Sequence, residues 1–109
     1  MNGQELMEEQ MKAYRSMEES KKTAREKDVE CAEYTKQYDI ALAQKMLTLR
    51  AEGTLGSMVE KVAKGDPEVA ELKFKAAVAE AEAKAARENI NIKKRIYDSI
   101  EATMKRELG

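Results

Sequence analysis

The sequence has no histidine and no tryptophan, and only one cysteine, one proline, one phenylalanine and five glycines in 109 residues. Each shortage excludes something. Without histidine there is no Ser-His-Asp triad, no Cys-His pair and no histidine-ligated zinc. A single cysteine, Cys31, allows neither an intrachain disulfide nor a cysteine zinc cluster within one chain. No apolar run approaches the roughly 18–20 residues that a membrane span needs, so no membrane partner is expected. The stretch from Met1 to Gln10 is polar and acidic, unlike a signal peptide. A cytoplasmic, helical protein is the expectation that remains.

Charge is what the chain has in abundance. Charged residues make up 38% of it, against about 25% in an ordinary globular domain. They nearly cancel, leaving a net charge of -1. From about Gln4 to Arg50, and again from Pro67 to Leu108, nothing breaks a helix. Both stretches are rich in Ala, Glu, Lys, Met, Leu and Arg, the strong helix formers. Uninterrupted lengths of this kind predict coiled-coil packing.

Glycine and proline mark a corner between the two stretches, over residues 51–66. Ser57 and Glu60 have the spacing of a capping box, which predicts a short helix from Met58 to about Ala63. Lys61 and Lys64 suit its C-terminal end, and Gly65 suits a left-handed residue just past it. Asp66, Pro67 and Glu68 then restart a helix as N-cap, first-turn proline and first-turn acid.

Apolar spacing predicts the seams. In the last helix Val69, Ala76, Ala83, Ile90, Tyr97 and Met104 alternate with Leu72, Ala79, Ala86, Lys93, Ile100 and Glu107, a heptad pattern with an alanine-rich middle. In the first helix Tyr14, Lys21, Asp28, Thr35, Leu42 and Leu49 alternate with Met17, Ala24, Cys31, Tyr38 and Lys45. The expected fold is all-α. It is a single domain over residues 1–109, a long antiparallel, coiled-coil-like hairpin with a short helix at the corner. One thin seam buries little, and Phe74, Val78, Ala85, Ile92 and Ile96 lie off it. Assembly into a dimer or larger helical bundle is therefore expected. Leu72, Ala76, Ala79, Ala83, Ala86 and Ile90 are the candidate self-association residues, because small side chains let helices approach closely.

Residues Leu49 to Gly53, Leu55, Val62 to Asp66 and Val69 to Phe74, with Asn89 and the ending Lys105 to Gly109, carry a resemblance. In these segments the chain resembles small coiled-coil proteins encoded by phages and prophages of Gram-positive bacteria. The resemblance covers the chain from about Cys31 onward. It implies a phage accessory protein in the host cytoplasm, and it brings no site residues with it.

No constellation points to catalysis. The pairs Glu8/Glu9 and Glu80/Glu82 do not share a helical face, and the Glu-x-x-His of bundle di-metal sites is missing. No enzyme activity, metal or cofactor is expected. Cys31 falls on the first helix's seam beside Tyr34 and Tyr38, where an inert, buried thiol is expected. Met7, Met11 and Met17 lie on one terminal helix face and suit core or partner-helix contact.

Two basic clusters are the most informative charge feature. Lys21, Lys22 and Arg25 belong to one, and Lys93, Lys94 and Arg95 to the other. In a hairpin whose facing residue numbers sum to about 115–120, the two clusters stand at one level. They are then either solvated faces with acidic partners such as Glu19, Glu26 and Asp98, or a site for an anion, a nucleotide, nucleic acid or an acidic protein. Net charge and the lack of basic-aromatic interleaving argue against strong non-specific DNA binding.

The function expected from these readings is protein–protein binding by a non-enzymatic phage accessory protein that also self-associates. Inhibition of a host defence system is one concrete form of it. The alternatives are a nucleic-acid or small-anion binder using the basic clusters and a structural spacer or scaffold in phage assembly. Binding that weakens with rising salt separates the second class from the first.

Overall fold

Nothing between Gly3 and Ala51 interrupts the backbone ladder, and the computed structural model makes of it one helix of 49 residues, α1. The structure describes residues 2–108. Met1 of the polar opening stretch and Gly109 of the resemblance lie outside them. After α1 come a single 3-10 turn at Gly56–Met58, the short helix α2 at Val59–Lys64 and the long helix α3 at Pro67–Leu108. Among the described residues there is no strand, so the chain is all-α. The long helices end within a residue or two of the bounds that the sequence sets.

The corner is built differently in two details. Thr54 donates its N–H to the Leu49 carbonyl at 3.0 Å, and Gly53 donates to Arg50 at 3.1 Å. That pair of bonds is a Schellman ending, and it requires the left-handed residue that Gly53 supplies with φ 85°. Gly65, expected in that role, has φ -84° and stays in the right-handed region. The capping box does not form either. Ser57 is taken into the 3-10 turn, where the Met58 N–H donates to Leu55 at 2.8 Å, and α2 starts with no side-chain cap. The Met58 and Val59 N–H groups donate to the Leu55 and Gly56 carbonyls, which places Ser57 inside a helical turn rather than at an N-cap. Lys64 donates to Glu60 at 2.7 Å along α2. This bond, and then the opposite charges, hold the Glu60 carboxyl below and the Lys64 ammonium above their ordinary values. Both groups are in water, which screens the pair.

Asp66 caps α3 as its sequence position predicts. Its Oδ2 accepts from the Glu68 and Val69 N–H groups, both at 3.2 Å. Its other oxygen lies 3.5 Å from Lys45 Nζ on α1. One carboxylate thus caps one helix and pairs with a cation on another. Replacing Asp66 with Ala is expected to lower stability by about 0.5–2 kcal/mol, read from the midpoint of urea unfolding.

The chain divides into two compact units. The second, Asp28–Glu82, holds the corner and a core of Leu49, Val59 and Ala63, with Leu42 and Met46 packed against it. Val59 is 1% exposed and Ala63 fully buried. In this unit α3 turns Val69, Leu72, Ala76 and Ala79 inward.

The first unit joins the residues up to Lys27 with those from Ala83 onward. Its inward line on α3 is the buried Ala83 and the half-buried Ala86, Ile90, Lys93, Tyr97, Ile100 and Met104, as the heptad predicts, while Glu107 is exposed. On α1 the line is Leu6, Gln10, Ala13, Met17, Ser20 and Ala24. Met17 and Ala24 were expected there, but their companions are Ala13 and Ser20 rather than Tyr14 and Lys21. In the second unit the exposed Asp28 and Thr35 depart from the expected line in the same way, with Tyr34 more buried instead. At these levels α3 presents the large Tyr97 and Ile90, and the small Ala13 and Ser20 fit against them, so the helix turns its Tyr14 edge outward.

Candidate functional site

Within the first unit three contacts set the pairing of α1 with α3. Asn89 Nδ2 donates to Ser20 Oγ at 3.2 Å, and that hydroxyl donates to the Ser16 carbonyl at 3.0 Å. The rings of Tyr14 and Tyr97 meet at 6.3 Å, tilted by 59°. A Cβ built on Gly3 meets the Leu108 side chain at 3.3 Å. The helices therefore run antiparallel in this unit, with facing residue numbers summing to about 110. The register expected from the sequence, about 115–120, is displaced by more than a turn.

That displacement moves the basic clusters. Lys21, Lys22 and Arg25 stand level with residues near 85–89, and Lys93, Lys94 and Arg95 with residues near 15–17. The clusters occupy successive levels instead of one. Acids are interleaved with them: Lys21 Nζ is 3.1 Å from Glu18 Oε1. Lys93 is half-buried in a cleft of about 190 Å³ that Glu9, Ser16, Ile96 and Ile100 also line. Lys22, Arg25, Lys94 and Arg95 are exposed.

The six residues considered for self-association lie on the inward line of α3. Ala79 is 3% and Ala83 1% exposed, and Leu72, Ala76, Ala86 and Ile90 are half-buried on the same line. The chain's own packing covers them. The off-seam residues remain open: Phe74, Val78, Ile92 and Ile96 are all exposed.

Among the surface clefts, one in each unit is lined by aromatic side chains. In the first unit Met11, Tyr14 and Tyr97 line a cleft of about 200 Å³ with Gln10 and Arg15 at its rim. Met7, Met11 and Tyr14 follow one another at the i, i+4, i+7 spacing that keeps side chains on one face of a helix, and all three are more than half exposed. The sequence groups Met7 and Met11 with Met17, but Met17 lies on the inward line, and Tyr14, expected on the seam, completes the exposed row instead. In the second unit Tyr34 on α1 and Phe74 and Val78 on α3 line a cleft of about 140 Å³.

Cys31 is half-buried with a free thiol. Among the described residues no group of three or more His, Cys, Asp or Glu side chains is placed to hold a metal ion, and no helix is long and apolar enough to cross a membrane. Compared with protein-family models, with curated proteins and with solved structures, the chain matches none.

Proposed function

We propose that the protein acts without catalysis, by binding another protein through the Met7–Met11–Tyr14 row of its first unit. The observation that carries this reading is the exposure of three large apolar side chains in one row beside the Tyr14–Tyr97 cleft. Methionine re-packs against varied shapes, and tyrosine supplies a rigid anchor with a polar tip. A ridge at i, i+4 and i+7 suits an amphipathic helix or an apolar groove on the partner. The resemblance to phage coiled-coil proteins supplies the class of partner, a host or phage protein, with inhibition of a host defence system as one concrete form. The first unit supplies an antiparallel helix pairing, and we extend the proposal to the long hairpin expected from the sequence.

The test is capture of partners from phage-infected host cells by the intact chain and by a Met7→Asp, Met11→Asp variant. Both substituted side chains are exposed, so the variant's circular dichroism is expected to match the parent's. Partners held by the parent are expected to be lost from the variant. Equal capture by the two proteins overturns the assignment of this row.

A further inference from the structure

We infer that the first unit carries a second docking surface, on the edge of α3 marked by Lys93, Ile96 and Ile100, and that its occupant is an acidic amphipathic helix of a partner protein. Lys93 stands on the inward line of α3, where the other members are apolar, and it is half-buried. Among the described residues no carboxylate pairs with its ammonium. A cation partly withdrawn from water in this way weakens the seam until an anion covers it.

The cleft of about 190 Å³ beside Lys93 selects the anion. Ile96 and Ile100 of α3 and Ala13 of α1 give it apolar walls, and Ser16 adds a hydroxyl. Lys12 and Glu9 also line it and pair with each other at 3.7 Å, so the charge left for a ligand is that of Lys93. One cation against isoleucine, with an acid close by, suits neither a phosphate group nor a nucleic-acid backbone, which call for several cations and donors. It suits a single carboxylate carried beside apolar side chains.

The apolar wall continues along the helix. Ile92, Ile96 and Ile100 follow at i, i+4 and i+8 on one edge of α3, and the first two are 52% and 46% exposed. A partner helix laid along this edge sets its own apolar row on the isoleucines and an Asp or Glu beside that row on Lys93. Apolar contact then supplies the area, and the charge pair fixes the orientation.

This surface shares no residue with the Met7–Met11–Tyr14 row or the Tyr14–Tyr97 cleft, so either proposal can fail alone. The experiment is selection on the full chain from a displayed library of helical peptides. Leucine is fixed at i, i+4 and i+8, and the flanking positions vary among Asp, Glu, Gln, Lys and Ala. Selected peptides are expected to carry Asp or Glu beside the leucines. The strongest is synthesised together with a counterpart bearing Lys in place of that acid, and binding is followed by fluorescence anisotropy. Circular dichroism checks that each protein variant is folded. Lys93→Met is expected to weaken the acidic peptide on the order of tenfold. Lys93→Glu is expected to reject the acidic peptide and to bind the lysine counterpart in its place. Lys12→Met removes an exposed pair and is expected to change binding by less than about twofold. Met7→Asp, Met11→Asp is expected to bind as the parent does. A library that yields no binder, or binders without enrichment of acids, overturns the inference. So does an acidic peptide indifferent to Lys93→Met, or a lysine counterpart that Lys93→Glu fails to bind. A peptide lost from Met7→Asp, Met11→Asp but held by Lys93→Met sits on the methionine row and overturns it as well.

Discussion

Replacing Ala83 with Phe is expected to lower stability by about 1–3 kcal/mol or more, the cost of forcing extra volume into a packed seam. Ala83 is 1% exposed and stands in the first unit, on the line that also holds Ala86 and Ile90. The register set by Ser20 and Asn89 puts it level with residues near 27, next to the turn that buries Ala24. A benzyl group at this position has two outcomes, both costly. Either the helices move apart and uncover the neighbouring alanines, or the ring takes a strained rotamer. Ala85 is exposed two residues further along α3, and Ala85→Phe should change stability by less than about 0.5 kcal/mol. Thermal unfolding followed at 222 nm separates the two. For a chain of about 100 residues each kcal/mol moves the midpoint by about 4–8 °C. Equal midpoints for the two variants would contradict the close seam.

Val59→Asp is expected to have a still larger effect at neutral pH. Val59 is 1% exposed and packs in the second unit's apolar core with Leu49 and Ala63. A carboxylate there loses its water without gaining a partner, so its cost exceeds the roughly 1–3 kcal/mol of a neutral polar group. Burial raises the pKa of such a carboxyl above its unfolded value of about 3.9. The sign of the pH dependence follows from that shift. The unfolded chain ionises freely above about pH 4 while the folded chain resists, so the penalty grows as pH rises and shrinks as pH falls. Unfolding in urea at about pH 4 and at pH 7 is expected to show the smaller loss, relative to the parent, at the lower pH. A loss independent of pH would mean that the core opens to admit water at this position.

The binding readings stand on surfaces of a different kind from these cores. Ile92, Ile96 and the methionine row are exposed because one inward line per helix is all that a paired helix can bury. The missing histidine removes histidine-based triads and histidine-ligated metal sites.

The sequence by itself determined the helices, the site of the corner, the cap at Asp66 and the inward line of α3. These follow from rules acting over a few residues: helix propensity, the fixed backbone angle of Pro67, a carboxylate beside orphan N–H groups and the 3.6-residue turn. Tertiary structure alone decided three other things. The left-handed glycine is Gly53 rather than Gly65, because the Schellman bonds closed at the end of α1. The inward line of α1 passes through Ala13 and Ser20 rather than Tyr14 and Lys21, because α3 presents the large Tyr97 and Ile90 at those levels and small side chains fit against them. The register in the first unit was fixed by Asn89 reaching Ser20, residues separated by 69 positions, and it moved the two basic clusters to successive levels. No periodicity within one helix carries the offset between two helices; that offset is set by which side chains meet across the seam.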